Sequence, residues 1–380
     1  MRRTWRAWST CAVAAVVTAA VLGGCGRGDG TDADTNTTLR GGRFPAAVVE
    51  TTTPGVTTPF GVPAATTTTS TTRRSTSSPT AAVAARTTTS ATVPSRTRPP
   101  ATRMPVARTA VAGAAWEGFV VVAGGIDTAG HASARVDAYN PRTGAWTRAP
   151  DLPQPLSDTA LAIQDDDLWV VGGFTQQGDQ NIAQAATYYF HPGDHAWKTG
   201  PLLDTPRGGA AVGSLNDTLV VLGGATTDGG TLDTVETLGV GDADWKTAPP
   251  LTQKRAYASA VVGGGRIYAV GGSSEGLATA MDNVESWKPG DAWRAEQPLV
   301  TKRANAGASG LCVAGGQNAD GTVGSVECIA ARRWSTKFQM VVPRHGLAVV
   351  LLDGWLHVMG GTPNSGPSAN ATHEIFDVGG

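Results

Sequence analysis

The chain has 380 residues and a formal net charge of −1 at pH 7. That near-neutral sum hides a division: residues 1–108 carry 13 Lys+Arg against 4 Asp+Glu, and residues 109–380 carry 17 against 27. The acidity of the larger part excludes a nucleic-acid binder, because phosphate contacts need a net positive face.

Residues 1–25 read as a targeting segment and stand outside the fold. Arg2, Arg3 and Arg6 precede the apolar stretch "CAVAAVVTAAVL" (11–22), and "LGGC" (22–25) closes it. Twelve apolar residues are too few to cross a bilayer as a permanent helix. The segment resembles a bacterial lipoprotein signal with its lipobox. That resemblance implies Cys25 as the lipidated first residue of the mature chain, held on the extracytoplasmic side of the cell membrane by its lipid alone. An ordinary secretory signal with an incidental cysteine is the plainer alternative.

Residues 26–97 show no periodic apolar pattern. "TTTPGVTTPFGVPAATTTTSTT" (51–72) is half threonine. Such a segment buries too little apolar surface to offset its ordering entropy and reads as a disordered Thr/Ser/Pro-rich stalk. If it is extended as polyproline, about 70 residues at about 3.1 Å each would reach on the order of 200 Å.

From residue 98 to 380 one unit is written six times. A small-residue run, usually headed by arginine, is followed by an apolar strand that ends in Gly-Gly, then by a polar loop of varying length. The glycine pairs begin at positions 124, 172, 223, 271, 315 and 360. A third strand carries an acid two residues before an aromatic or aliphatic one ("VDAY", "VETL", "VESW", "VECI", "HEIF"), and a turn leads to Trp146, Trp197, Trp245, Trp293 or Trp334. Four short strands in each 44–51 residues is the spacing of a propeller blade. Ala and Gly on the first strand suit the crowded axis, and a strand apolar at successive positions suits a sheet covered on both faces.

The Gly-Gly doublet, the acid–x–aromatic step and the phased tryptophans resemble Kelch repeats across residues 98–380. The resemblance implies an all-β, six-bladed propeller. The sixth copy ends at "HEIFDVGG" (373–380) before any tryptophan strand. Arg98, ten residues before Arg108, stands where that tryptophan would fall. Residues 98–104 are therefore expected to supply the outer strand of blade six, as an edge that tolerates its prolines.

Five copies hold both a leading arginine and a third-strand acid: Arg108 with Asp137, Arg207 with Glu236, Arg255 with Glu285, Arg303 with Glu327, and Arg344 with Glu374. The second copy has Leu156 and Tyr188 instead. Joint loss is what an ion pair inside the blade predicts, since one partner alone would leave a charge uncompensated. Cys312 and Cys328 lie equally far from Asp320 on adjacent strands, which in an exported chain points to a disulfide. "GSSEG" (272–276) matches G-x-S-x-G but sits between two strands rather than on a strand–turn–helix elbow. No metal site, cofactor or catalytic residue is expected.

The expected function is recognition. The loops after each Gly-Gly differ most between copies, and Asp127, Phe174, Gln176, Asp228, Glu275, Asn318 and Asn364 are the candidate contacts. The expected partner is an envelope or extracellular protein, or a polysaccharide. The rival reading is an enzyme: exported six-bladed Kelch propellers include N-acetylneuraminate epimerases, and that resemblance implies sugar mutarotation. It would need a leading arginine left free to face the channel. A purely structural envelope spacer is the third reading.

Overall fold

In the computed structural model residues 96–363 and 368–379 are described. The signal segment with Cys25, all of the stalk but its last two residues, and Asn364 lie outside them.

Among the described residues six sheets form blades, five with four antiparallel strands and the sixth with three. Two short two-stranded hairpins, Phe174–Gln177 with Gln180–Ala183 and Gln317–Asn318 with Gly321–Thr322, lie in the loops. In blade one the strands are Ala112–Trp116, Phe119–Ala123, Val136–Asn140 and Ala145–Ala149, from innermost to outermost. The innermost strands of the other blades are Ala160–Gln164, Ala211–Leu215, Ser259–Gly263, Gly307–Ser309 and His345–Leu352. Each lies against the innermost strands on either side, and blade six meets blade one, so the ring is closed. Two-residue turns join first to second strands. At Glu117–Gly118, Asn216–Asp217, Gly264–Gly265 and Asp353–Gly354 both turn residues have positive φ, which matches the right-handed twist of the flanking strands.

The core is six seams rather than one centre. Blades one and two share Val121, Ala123, Leu168 and Val170, and blades three and four share Val220, Leu222, Ile267 and Ala269. Equivalent clusters fill the other four junctions. Second strands are therefore buried on both faces, as in Phe119–Ala123, where every residue is buried. Each such Val or Leu contributes about 1.5–3 kcal/mol.

The outer tryptophans knit neighbours together. Trp197, Trp245 and Trp293 donate their indole N–H to the carbonyls of Pro150, Pro201 and Pro249 on the preceding blade, at 3.0, 3.0 and 2.7 Å. Trp146 does the same to Thr102, at 3.2 Å. Among the described residues, no tryptophan belongs to the cluster at the junction of blades five and six. Phe338 and Phe376 meet there, ring centres 5.2 Å apart, beside the Cys312–Cys328 disulfide.

Residues 98–104 do not form the expected strand; blade six keeps three strands. Pro99 and Pro100 have no N–H to give to a ladder. The segment still follows the outer edge of His373–Asp377. Arg98 donates to the Ile375 carbonyl (3.0 Å), and the Met104 N–H donates to the Ala371 carbonyl (2.9 Å). The latter bond is the one that Leu152, Leu203, Leu251, Leu299 and Met340 make in the other blades.

Candidate functional site

Each leading arginine is buried and meets its acid. Arg108 reaches Asp137 and Arg255 reaches Glu285 at 2.6 Å; Arg207–Glu236, Arg303–Glu327 and Arg344–Glu374 pair likewise. Arg135 joins Asp137 from the same blade. The guanidinium also donates to the carbonyl of the first glycine of its blade's pair, as from Arg207 to Gly223, Arg255 to Gly271 and Arg303 to Gly315, each 2.9 Å. Burial lowers the pKa of all five, Arg108 to about 10, and the nearby acids oppose that shift. These groups remain cations at neutral pH, held inside the blades. In blade two Leu156 and Tyr188 fill the same positions within an apolar cluster. None of the five arginines is free to grip a substrate in the channel, the feature that the mutarotase reading required.

The Gly-Gly doublet has a cause beyond ending a strand. The second glycine donates its N–H to the next blade's leading residue: Gly125 to Leu156, Gly173 to Arg207, Gly224 to Arg255, Gly272 to Arg303, Gly316 to Arg344 and Gly361 to Arg108, each 2.8–3.0 Å. The last of these closes the ring. A Cβ on the first glycine would lie 2.5 Å from the same carbonyl at Gly124 and 2.3 Å at Gly223.

Two residues beyond each leading position, six residues converge on the axis: Ala110, Asp158, Gly209, Tyr257, Asn305 and Gly346. All have positive φ, between 47° and 64°. This left-handed conformation is uncommon for alanine and tyrosine, and such backbone is retained where the surroundings demand it. The demand is a hydrogen-bonded circuit. Asp158 N–H donates to Ala110, Gly209 to Asp158, Tyr257 to Gly209, Asn305 to Tyr257 and Gly346 to Asn305, at 2.7–3.0 Å, and Val111 N–H completes it to Gly346 at 3.3 Å. The circuit rims a cavity of about 90 Å³ at the channel mouth. Ligand pockets for small molecules run to about 300–1,000 Å³, so this cavity is small for a whole sugar. The sequence reading missed these six residues, although their constant offset from the leading residue was a usable signal.

The loops after Gly-Gly rise at the same end of the blades, since bridges Thr109↔Ile126, Gly208↔Ala225, Ala256↔Ser273 and Ala304↔Gln317 tie the two segments. Phe174 is not a surface contact: it is 4% exposed and packs with Ala183, Ala225 and Ala256. Gly208 makes room for its ring, for a Cβ there would lie 2.3 Å from it. Gln176 is exposed and clamps two loops, accepting from Ala132 N–H (2.7 Å) and donating to Gly130 (3.0 Å). Asp127 accepts from the N–H groups of Ala129 and His131, Asp228 from the Thr226 hydroxyl, and Asn318 donates to the Lys302 carbonyl. These four hold loop shape. Glu275 is exposed, and its own N–H donates to the Thr279 hydroxyl at 2.7 Å. Among the described residues no group of three or more His, Cys, Asp or Glu side chains is placed to hold a metal ion.

Sheet order, closed circuit and repeated seams define a six-bladed β-propeller. A family model described as Kelch motif matches residues 107–153 and 254–299, blades one and four. The propeller thus contains Kelch motifs, in blades one and four. The chain is similar to beta-scruin of Limulus polyphemus, 31% identical over 127 residues, which is 32% of this chain and 14% of that protein. It is also similar to Kelch-like ECH-associated protein 1B of Danio rerio, 29% identical over 90 residues, which is 24% of this chain and 15% of that one. The aligned region spans only about a seventh of these relatives' length. A solved structure titled "Structure of YjhT" matches with TM-score 0.63 and 14% identity, over 72% of this chain and 96% of that one. That likeness concerns fold alone.

Proposed function

We propose that the chain is a binding scaffold of the cell envelope, held by a lipid at Cys25, carried outward on the 26–97 stalk, and engaging a protein through the loops after Gly-Gly. The observation that carries this reading is the division of labour among polar groups. The five arginine–acid pairs are spent inside the blades, while the variable loops gather at one end around the channel mouth. A rigid disc with differing loops on one face suits recognition better than turnover.

The test is a pull-down from envelope extract with the full-length chain as bait. A second bait has residues 175–182 and 318–322 replaced by Gly-Ser, leaving the buried Phe174 in place. A protein retained by the first and lost from the second is expected. If both retain the same proteins, or neither retains any, the reading fails, and anomer exchange of N-acetylneuraminate becomes the next assay.

A further inference from the structure

The channel mouth is not evenly lined. Asp158, Tyr257 and Asn305 place polar side chains along one arc, with Gly209 between the first two, whereas Ala110 and Gly346 leave the opposite arc small. The Tyr257 ring lies over Gly209, where an added Cβ would come within 2.8 Å of it. Five of the six rim N–H groups, and all six rim carbonyls, are consumed by the circuit itself. The side-chain groups at the rim that can meet a ligand are the Asp158 carboxylate, the Tyr257 hydroxyl and the Asn305 amide. Among the described residues no lysine, arginine or histidine lines the cavity.

The surrounding loops have the same sign. The six segments 126–134, 174–184, 225–233, 273–282, 317–324 and 362–372 contain seven acids (Asp127, Asp179, Asp228, Asp233, Glu275, Asp282 and Asp320) and no Lys or Arg. Acidic loops on the face that carries the half-buried Asp158 carboxylate favour cations over anions.

We infer that the channel mouth receives one basic side chain, a lysine or arginine presented by the partner protein, with Asp158 as its counter-ion. This rests on the scaffold reading and specifies the partner's chemistry. The cavity, about 90 Å³ and open to the loop face, has room for an ammonium or guanidinium head. Burial pushes the Asp158 carboxyl up to about 7, and burial, with a smaller contribution from the nearby carboxylate, raises the pKa of the Tyr257 hydroxyl. A cation beside Asp158 restores its ionised form and replaces the lost solvation.

The test pans a random twelve-residue peptide library on the immobilised full-length chain and repeats it on Asp158→Asn. Asparagine tolerates the left-handed backbone at this position, and circular dichroism checks the fold. Peptides selected on the wild type are expected to share Lys or Arg at one position. Replacing that residue by methionine, or Asp158 by asparagine, is expected to weaken binding about ten- to a hundredfold, the worth of a charge-assisted hydrogen bond. Asp242→Asn, on the opposite face, is expected to change nothing. Peptides without a shared base, or equal binding to Asp158→Asn, overturn the inference; the scaffold reading survives if the loop-replaced chain then loses those peptides. If ammonium chloride raises the wild-type melting temperature through Asp158 but no basic peptide is retained, the site takes a free ion and the inference also falls.

Discussion

Leu156 and Tyr188 share the apolar seam between blades one and two, at the two positions that every other blade fills with a buried arginine and its acid. One protein thus carries two solutions to the same packing problem. Removing one member of a buried ion pair costs about 3–5 kcal/mol, whereas replacing both by apolar groups is often neutral. Glu285→Gln is therefore expected to lower stability by about 3–5 kcal/mol. Arg255→Leu combined with Glu285→Tyr, which copies blade two, should recover at least half of that loss in urea unfolding. Equal losses for the single and double variants would show that the two residues do not act as a pair.

The glycine doublets predict a contrast between two similar substitutions. Gly271 (φ +62°) would place a Cβ 2.6 Å from the Arg303 carbonyl, while Gly276 (φ +71°) has open space around it. Alanine at either site meets the left-handed penalty of about 1–2 kcal/mol. Only Gly271→Ala also wedges blades four and five apart at the bond from Gly272 to Arg303. Its melting temperature should fall clearly further than that of Gly276→Ala, and matching shifts would refute the abutment.

Ring closure is expected to weaken in acid. His373 donates to the Thr102 carbonyl at 3.0 Å and, through its other nitrogen, accepts from His357 at 2.9 Å. Tyr139 packs against both rings, and Arg344 adds a positive charge near His373. Burial lowers the pKa of His357 to about 3 and of His373 to about 4. The unfolded chain takes up these protons near 6.5 and the folded one does not. Stability is therefore full above about pH 6.5 and falls as pH drops towards 4. Urea midpoints at pH 7.5 and 4.5 should differ less for the His357→Gln/His373→Gln double variant than for the wild type. An unchanged difference would place the acid sensitivity elsewhere.

Cys312 and Cys328 face each other in register across blade five and belong to the seam with blade six, whose cluster has no tryptophan among the described residues. A closed loop of 16 residues contributes about 3 kcal/mol. Cys312→Ser/Cys328→Ser should lose roughly that much in urea unfolding. Reductant should shift the wild type by the same amount and leave the variant unmoved; a shift in the variant would mean that reductant acts elsewhere.

Sequence alone determined the repeat and its parts. Periodic Gly-Gly pairs, continuously apolar strands and phased tryptophans are local signals, because each blade solves the same packing problem within about 50 residues. The pairing of arginines with acids was legible for a related reason: blade two lost both members together. What only the tertiary structure decided depends on neighbours distant in the chain. Pro99 and Pro100 follow blade six without joining its ladder. Phe174 is buried because Gly208, on the next blade, leaves room for its ring. The Asp158 mouth exists because ring closure brings six residues, one from each blade, into a single hydrogen-bonded circuit. A residue's offset within its repeat records its place in a blade, and only closure of the ring sets blades against one another and turns that offset into a site.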